Sequence, residues 1–583
     1  VEKPALVRVR SLVTSGLALA CIAACSAPAK PPPHGPGGDV PDEYGDRVAF
    51  VTNNLYRADP ASAVSLGLHK FDGLLPDRTP ASLDEERKQL DRDKELLLAV
   101  PAASLTPAQR EEREVLLFAI ATRRFSLVDL DVYRTNPRSY LDAINLDAYI
   151  LRDYAPAVER AAAAIKLCQA LPAYLQQART NLVGPLVRPW IDTALAQTRG
   201  LVEFADKDVR QAFDAITPPL ANQAELGPAL ATCKAALTEH ADWLAKQQAR
   251  GTQQFALGEQ KFLAMLAATQ GVTIDLARLS RIADADLARN LTALAEAARA
   301  IAPNKSVLEV VAAQAEIRPT IASLISLATE QTAAARAFML EHRIASEPST
   351  DVAEVRETPP FKRWNSAFLE APGAFETKPL PAFYYISPPD PKWPEAEQKA
   401  YLPPTSDLLF TTIHEVYPGH FLHRQHIARH PSRAMRSFCT YSTSEGWAHY
   451  TEEMMFEAGM GGKTPEARIG MLKEALLRNV RFVATISLHT RGMTVDEAAK
   501  LFAEKGFVDA ANARQQAVRG TFDPMYLAYT LGKLMVGKLR TDWLAANPGK
   551  SLGDFHDAFL AHACAPIPVI RRAMLGPDAG PPL

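Results

Sequence analysis

Apolar side chains recur every three or four residues along most of this chain, the period of a helix with one buried face. In stretches rich in Ala, Leu, Glu and Arg, that spacing predicts helices over Glu85–Val100, Pro107–Leu127, Ala155–Leu182 and Leu276–Ile301. Thr106-Pro107 and Asn136-Pro137 punctuate the pattern where helices stop and start. No repeat of fixed period emerges, so the Ala/Leu stripes read as core rather than as a stacked array. Between about 346 and 403 prolines crowd in, and Asp351–Arg356 and Ala382–Ile386 read as short strands. A small β element near residues 350–390 is therefore expected, with helices resuming to about 564. The predicted fold class is mainly α. One large body spans 45–583, with an N-terminal helical part (45–345) and a second part (346–583) that carries the chemistry.

The first 44 residues break the pattern. Arg8 and Arg10 precede an uncharged run from Ser11 to Ala24, followed by Cys25, the layout of a secretory signal over residues 1–25. Ile22-Ala23-Ala24-Cys25 resembles the bacterial lipobox, whose cysteine is lipidated; Cys21 fits that pattern less well. An uncleaved anchor is the alternative, but the apolar run falls short of the ~20 residues that span a bilayer. Residues 26–44 are rich in Pro and Gly and nearly free of aliphatics, the composition of an extended tether. The expectation is an exported lipoprotein of the cell envelope, periplasmic or on the outer face, held to a membrane by its N-terminal lipid.

Composition narrows the function classes. Apolar residues make up 47% and charged residues 22% of the chain, an ordinary globular balance. A net charge of −2 with dispersed Lys and Arg gives no basic stripe, so nucleic acid is excluded as a partner. Of the six cysteines, Cys168, Cys233, Cys439 and Cys564 lie beyond the signal; without a CxxC pair they read as buried thiols or as disulfide partners.

The chemistry gathers in Thr411–His420, where His414-Glu415 is followed by His420 after a Pro418-Gly419 break. In an HExxH element the two histidines at i and i+4 share a helical face, and the glutamate reaches a metal-bound water. Here the second histidine is at i+6. At ~100° per residue that sets it about 120° away on a straight helix, so unmodified helix geometry fails. Pro418 interrupts the turn and Gly419 tolerates the dihedrals of a bulge, so a local kink could return His420 to the face of His414. Glu445, in Ser444–Tyr450, opens a second helix-like run and is the candidate third ligand. His449, one turn on, is a candidate partner orienting a ligand, and Glu452, two turns on, is the rival third ligand.

HEVYPGH followed by SEGWAHYTEE resembles a bacterial family of long helical proteins with HExxPGH and EGWAxY motifs. That family is allied to the gluzincin metallopeptidases of the angiotensin-converting-enzyme and thimet-oligopeptidase types. The resemblance runs from about Tyr44 to the C-terminus. It implies a large helical fold with a deep cleft and one Zn2+ ion held by His414, His420 and Glu445. Glu415 would be the general base. It also implies His489 and Tyr529 as oxyanion donors, with Tyr526 competing because the run Asp523–Tyr526 departs from the family pattern. The implied function is zinc-dependent hydrolysis of peptide bonds in a peptide or small amide substrate. Another amide or ester, or an inactive metal- or peptide-binding lipoprotein, are the alternatives.

His423, His426 and His430 follow closely and read as a solvated helix face. Gly549–Gly553 matches GxSxG without a preceding strand, so Ser551 reads as a helix cap. Arg540 reads as an ion-pair residue rather than a substrate anchor.

Overall fold

The computed structural model describes residues 43–363 and 366–583; the expected leader, Cys25 and the Pro/Gly-rich stretch through residue 42 lie outside them. Helix accounts for 69% of the structure and strand for 3%, so the fold is mainly helical with one small sheet. Glu43–Leu583 form a compact unit. No described helix is long and apolar enough to cross a membrane.

Local chemistry explains where the helices begin. Thr79 and Thr106 cap helices that start on the next residue, a proline, whose missing N–H is one the first turn leaves unpaired anyway. The N-terminal half contains α1 (Tyr44–Ala58), α2 (Pro80–Leu98), α3 (Pro107–Arg124), α4 (Ala157–Asn181), α5 (Arg188–Phe204) and α6 (Gln223–Gln247). Helix α6 packs on both α4 and α5. Leu97, Leu116, Leu171, Leu175 and Leu237 are fully or almost fully buried in the core these helices share. Each such side chain contributes about 1.5–3 kcal/mol. Helix α7 (Leu276–Ile301) has the bounds its periodicity predicts.

The second half begins with a three-stranded sheet, β1 (Ala353–Glu357), β2 (Ala367–Glu370) and β3 (Ala382–Ile386), in the order β1-β3-β2. Strand β1 runs parallel and β2 antiparallel to β3. β1 and β3 fall close to the two stretches read as strands. β2 escaped the sequence reading because four residues among prolines carry too little periodicity. The helices that follow include α8 (Thr405–Glu415), α9 (His420–Arg429), α10 (Tyr441–Ala458), α11 (Pro465–Thr490) and α12 (Ala528–Ala546). Their core includes Phe410, Ile413, Trp447, Phe482 and Leu531. Ser551 caps a short helix through a reciprocal pair with Asp554, as its position suggested. Arg540 pairs with Glu457 at 3.0 Å.

Cys439 and Cys564 form a disulfide, 125 residues apart in sequence, whereas Cys168 and Cys233 are buried free thiols. Their separation left no sequence signal for this pairing.

His69 ties the N-terminal half to the segment after β2. Its ring nitrogens sit 3.2 Å from Asp72 and 3.2 Å from Glu376, and the ring stacks on Tyr154. Burial opposes charging the imidazole, but the two carboxylates outweigh it and hold it up at about 9. A folded value above the unfolded ~6.5 stabilises the protein fully below pH ~6.5, and that contribution disappears as pH rises through about 9. His69→Gln should therefore cost about 1–2 kcal/mol near pH ~6 and almost nothing near pH ~9.5, measured by chemical denaturation at both. An equal cost at the two pH values would contradict a charged His69.

Candidate metal centre

The two histidines meet because the helix ends between them. α8 stops at Glu415, α9 starts at His420, and Val416–Gly419 form the bend, with a cis peptide at Tyr417–Pro418. The Gly419 N–H reaches back to the carbonyl of Ile413 (3.1 Å), six residues away instead of the helical four. The extra two residues of HExxPGH are taken up in this loop. Gly419 takes up the bend with φ −69° and ψ −131°, neither helical nor extended. Glycine is needed because a methyl there would overlap the backbone carbonyl oxygens of Ile413 and His414.

The bend is locked from outside by α10. The Trp447 indole is fully buried and donates to the Pro418 carbonyl at 2.9 Å. Beside it, Gly446 lies against Gly532 of α12, where neither backbone leaves room for a side chain. This close crossing brings Glu445 on α10 and Tyr529 on α12 to one place. Lys533 strengthens it as a buried cation 3.2 Å from Asp286 of α7 and 3.1 Å from Glu453 of α10. The three residues of the EGW motif therefore supply a carboxylate, a close approach and a latch. Helix α10 begins at Tyr441, earlier than the sequence suggested, so Glu445 lies within the helix.

His414 Nε2 and His420 Nε2 each stand 3.4 Å from Glu445 Oε2. Two ligands of one tetrahedral ion, each bonded at about 2.0–2.1 Å, lie roughly 3.3–3.4 Å apart. Glu415 is close by: one ligand atom each from His414, Glu415 and His420 lie within 4.8 Å of one another. One Glu415 oxygen accepts the backbone N–H of Leu369 on β2 at 2.9 Å, which holds the carboxylate to the sheet edge. The missed strand thus orients the candidate base.

Glu452, the rival ligand, is placed differently. Its Oε1 lies 2.6 Å from His414 Nδ1, on the far side of the imidazole from Glu445. Arg478 of α11 stands 3.3 Å from the same oxygen and binds Glu474 at 2.8 Å. Burial alone would raise the Glu452 pKa, but Arg478, His449 and the bond to His414 hold it well below the carboxylate range. An ionised Glu452 keeps the proton on Nδ1 and turns the Nε2 lone pair toward Glu445, itself ionised. Nε2 and Oε2 are then two acceptors facing each other, and only a cation or an added proton reconciles them. The protein's own answer shows the same demand. Burial and Arg478 press the His414 imidazole towards neutrality, yet bonds to Glu445 and Glu452 pull it up to about 9. A divalent cation bound by two imidazoles and a carboxylate fits this donor set.

His449 needs correcting: it lies 3.3 Å from Glu452, without hydrogen-bond geometry, so Glu452 stands between it and His414. His489 also leaves the site. It lies eleven residues beyond Arg478 on α11, about 16 Å along the axis, with Nε2 2.8 Å from the Gly520 carbonyl. It packs between Phe255 and Phe262, and burial pushes its pKa down to about 4. Tyr529 stays: its ring stacks 6.4 Å from His414, with the Arg481 guanidinium 4.9 Å from its centroid. Tyr526, the competitor, is fully buried with its hydroxyl on the Gln516 carbonyl at 3.3 Å. Of the decoy histidines, His423 is buried on the Ala563 carbonyl at 2.8 Å rather than solvated.

The sequence reading passed over Arg481, Tyr441 and Arg519 as members of this group. Tyr441 lies 5.6 Å from Tyr529 and accepts from Arg519 at 2.8 Å. Helical spacing held the signal: Arg481 is three residues after Arg478, and Tyr441 four before Glu445.

Beside the centre opens a cavity of about 750 Å³. Its wall includes Leu369–Ala374, Arg424, and Asp59, Arg78 and Asp142 from the N-terminal half. The cluster of ligand side chains adjoins it through Leu369 and through Arg424, one turn beyond His420. The volume suits a ligand of drug size.

Residues 60–574 match the bacterial family DUF885, described as a bacterial protein of unknown function. Two solved structures are similar across nearly the whole chain. A candidate lipoprotein of unknown function from Shewanella oneidensis is 22% identical with a TM-score of 0.78, covering 92% of this chain and 100% of its own. A candidate lipoprotein from Colwellia psychrerythraea is 17% identical with a TM-score of 0.73, covering 91% and 98%. At these identities the likeness establishes the fold. No curated protein gives a significant match.

Proposed function

We propose that this chain, which belongs to the DUF885 family of bacterial proteins, hydrolyses peptide bonds with one zinc ion held by His414, His420 and Glu445. The observation that carries the reading is the approach of both imidazole Nε2 atoms to 3.4 Å from one Glu445 oxygen, with Glu415 alongside. Bound there, zinc would lower the pKa of a coordinated water from about 15.7 to about 7 and polarise the scissile carbonyl. Glu415, anchored by Leu369, is the base that takes a proton at its carboxylate and returns it to the leaving amine. Glu452 keeps His414 in the tautomer whose Nε2 binds metal. Tyr529, backed by Arg481, is the candidate oxyanion donor, a role worth ~10²–10³ in rate.

A peptide is favoured over other amides or esters by β2. Its outer edge carries main-chain groups past Glu415 into the cavity wall, a surface an extended peptide can pair with. The gluzincin alliance belongs to this proposal, as does export. Lipidation at Cys25 is supported by the two similar candidate lipoproteins, and an oxidising compartment by the Cys439–Cys564 disulfide.

Purified protein should contain about one zinc per chain. It should cut members of a peptide library, lose that cleavage to a chelator and regain it on zinc addition. A protein that takes up no metal, or that cuts as well after chelation, overturns the proposal.

A further inference from the structure

Two charged side chains on the wall of the 750 Å³ cavity have no protein partner. Arg424 and Asp142 are both open to solvent, and neither makes a hydrogen bond or ion pair among the described residues. Beyond hydrogen-bond range, Arg424 feels the charges of Glu445 and Glu370, and Asp142 those of Arg138 and Asp59. The other charges of the lining are mostly spoken for: Arg78 and Arg123 bind Glu86, Glu370 binds Arg152 and Lys362, and Asp59 caps a helix through Ser62. Two opposite charges on one cavity wall, neither engaged by a protein group, are available to pair with a ligand.

Their positions differ in an informative way. Arg424 follows His420 by four residues on α9, so the two share a helical face and start about 5–6 Å apart. Asp142 belongs to the N-terminal half, near Asp59. We propose that the cavity binds a short peptide with both ends free, Arg424 taking the terminal carboxylate beside the metal centre and Asp142 the terminal ammonium. The guanidinium suits a carboxylate because its planar fork donates two parallel bonds. With the carboxylate held one turn from His420, the bond presented to Glu415 is close to the C-terminus. The enzyme then removes residues from the C-terminal end of short peptides, and its chamber excludes folded proteins. This specificity rests on the peptidase reading; the binding of the two termini does not.

The test uses the whole zinc-loaded protein, with calorimetric titration of trialanine, trialanine amide and N-acetyl-trialanine, and a separate cleavage assay. Amidation and acetylation should each weaken binding about ten-fold or more. The penalty for amidation should vanish in Arg424→Gln, and that for acetylation in Asp142→Asn. Arg424→Lys should restore part of the preference for the free carboxylate. Neither side chain has a protein partner to orphan, and unchanged thermal melts confirm that the variants fold. Equal binding of the three peptides, no binding at all, or penalties that persist in the variants overturn the inference. Cleavage without discrimination between termini sinks the chamber assignment and leaves the peptidase. Terminus-dependent binding without cleavage sinks the peptidase and leaves the chamber.

Discussion

Glu415→Gln should leave about one zinc per chain and reduce peptide cleavage by ~10²–10⁴-fold, the range that general bases contribute. The substitution is close to isosteric, and the amide oxygen can still accept the Leu369 N–H that anchors the carboxylate. His414, His420 and Glu445 keep their positions, because the bend and the Trp447 latch are untouched. What disappears is the acceptor for a proton. Metal content by elemental analysis and kcat on a cleaved peptide decide the matter together. Full activity would remove Glu415 from the chemistry, and loss of zinc would make it a ligand, a geometry its closeness to both histidines permits.

Gly419→Ala should be among the most damaging single methyls at the described glycines. The added carbon meets the carbonyls of Ile413 and His414, which are backbone atoms and cannot rotate aside. To admit it, the loop from Val416 to Gly419 must open, which breaks the Gly419–Ile413 hydrogen bond and carries His420 away from His414. Overpacking and the lost bond together should cost about 3 kcal/mol or more in stability. Zinc binding should fall by at least about 10²-fold, since two of three ligands no longer converge. Gly537→Ala is the internal control. It lies in α12 with open space around the new methyl, and should be neutral or stabilising by up to about 1 kcal/mol. Denaturant titrations of both variants, with zinc content beside them, would falsify the argument if the two behaved alike.

Much of this molecule was legible before any coordinates. The three- and four-residue period marks the helices because it depends only on which face of one helix is apolar, and Leu276–Ile301 matches to the residue. Short runs rich in aromatic and β-branched residues between prolines marked β1 and β3, and the Ser551 cap is a contact three residues long. His414, Glu415, His420 and Glu445 were named from two motifs, and the structure brings all four together.

What tertiary structure alone decided is which of several equally spaced side chains meet. Glu445 and Glu452 lie two turns apart on one helical face, and no local rule ranks them. The close crossing at Gly446 and Gly532 turns one to Nε2 of His414 and the other to Nδ1. His489 and Arg481 share a helix, but the path of α11 past the centre stops short of His489 and leaves Arg481 with Tyr529. Arg424 and Asp142 face one cavity across 282 positions of sequence, and Cys439 finds Cys564 across 125. Periodicity and capping are short-range and can be read along a chain. Partners set by how whole helices cross depend on every contact between them, and those appear only once the helices are packed.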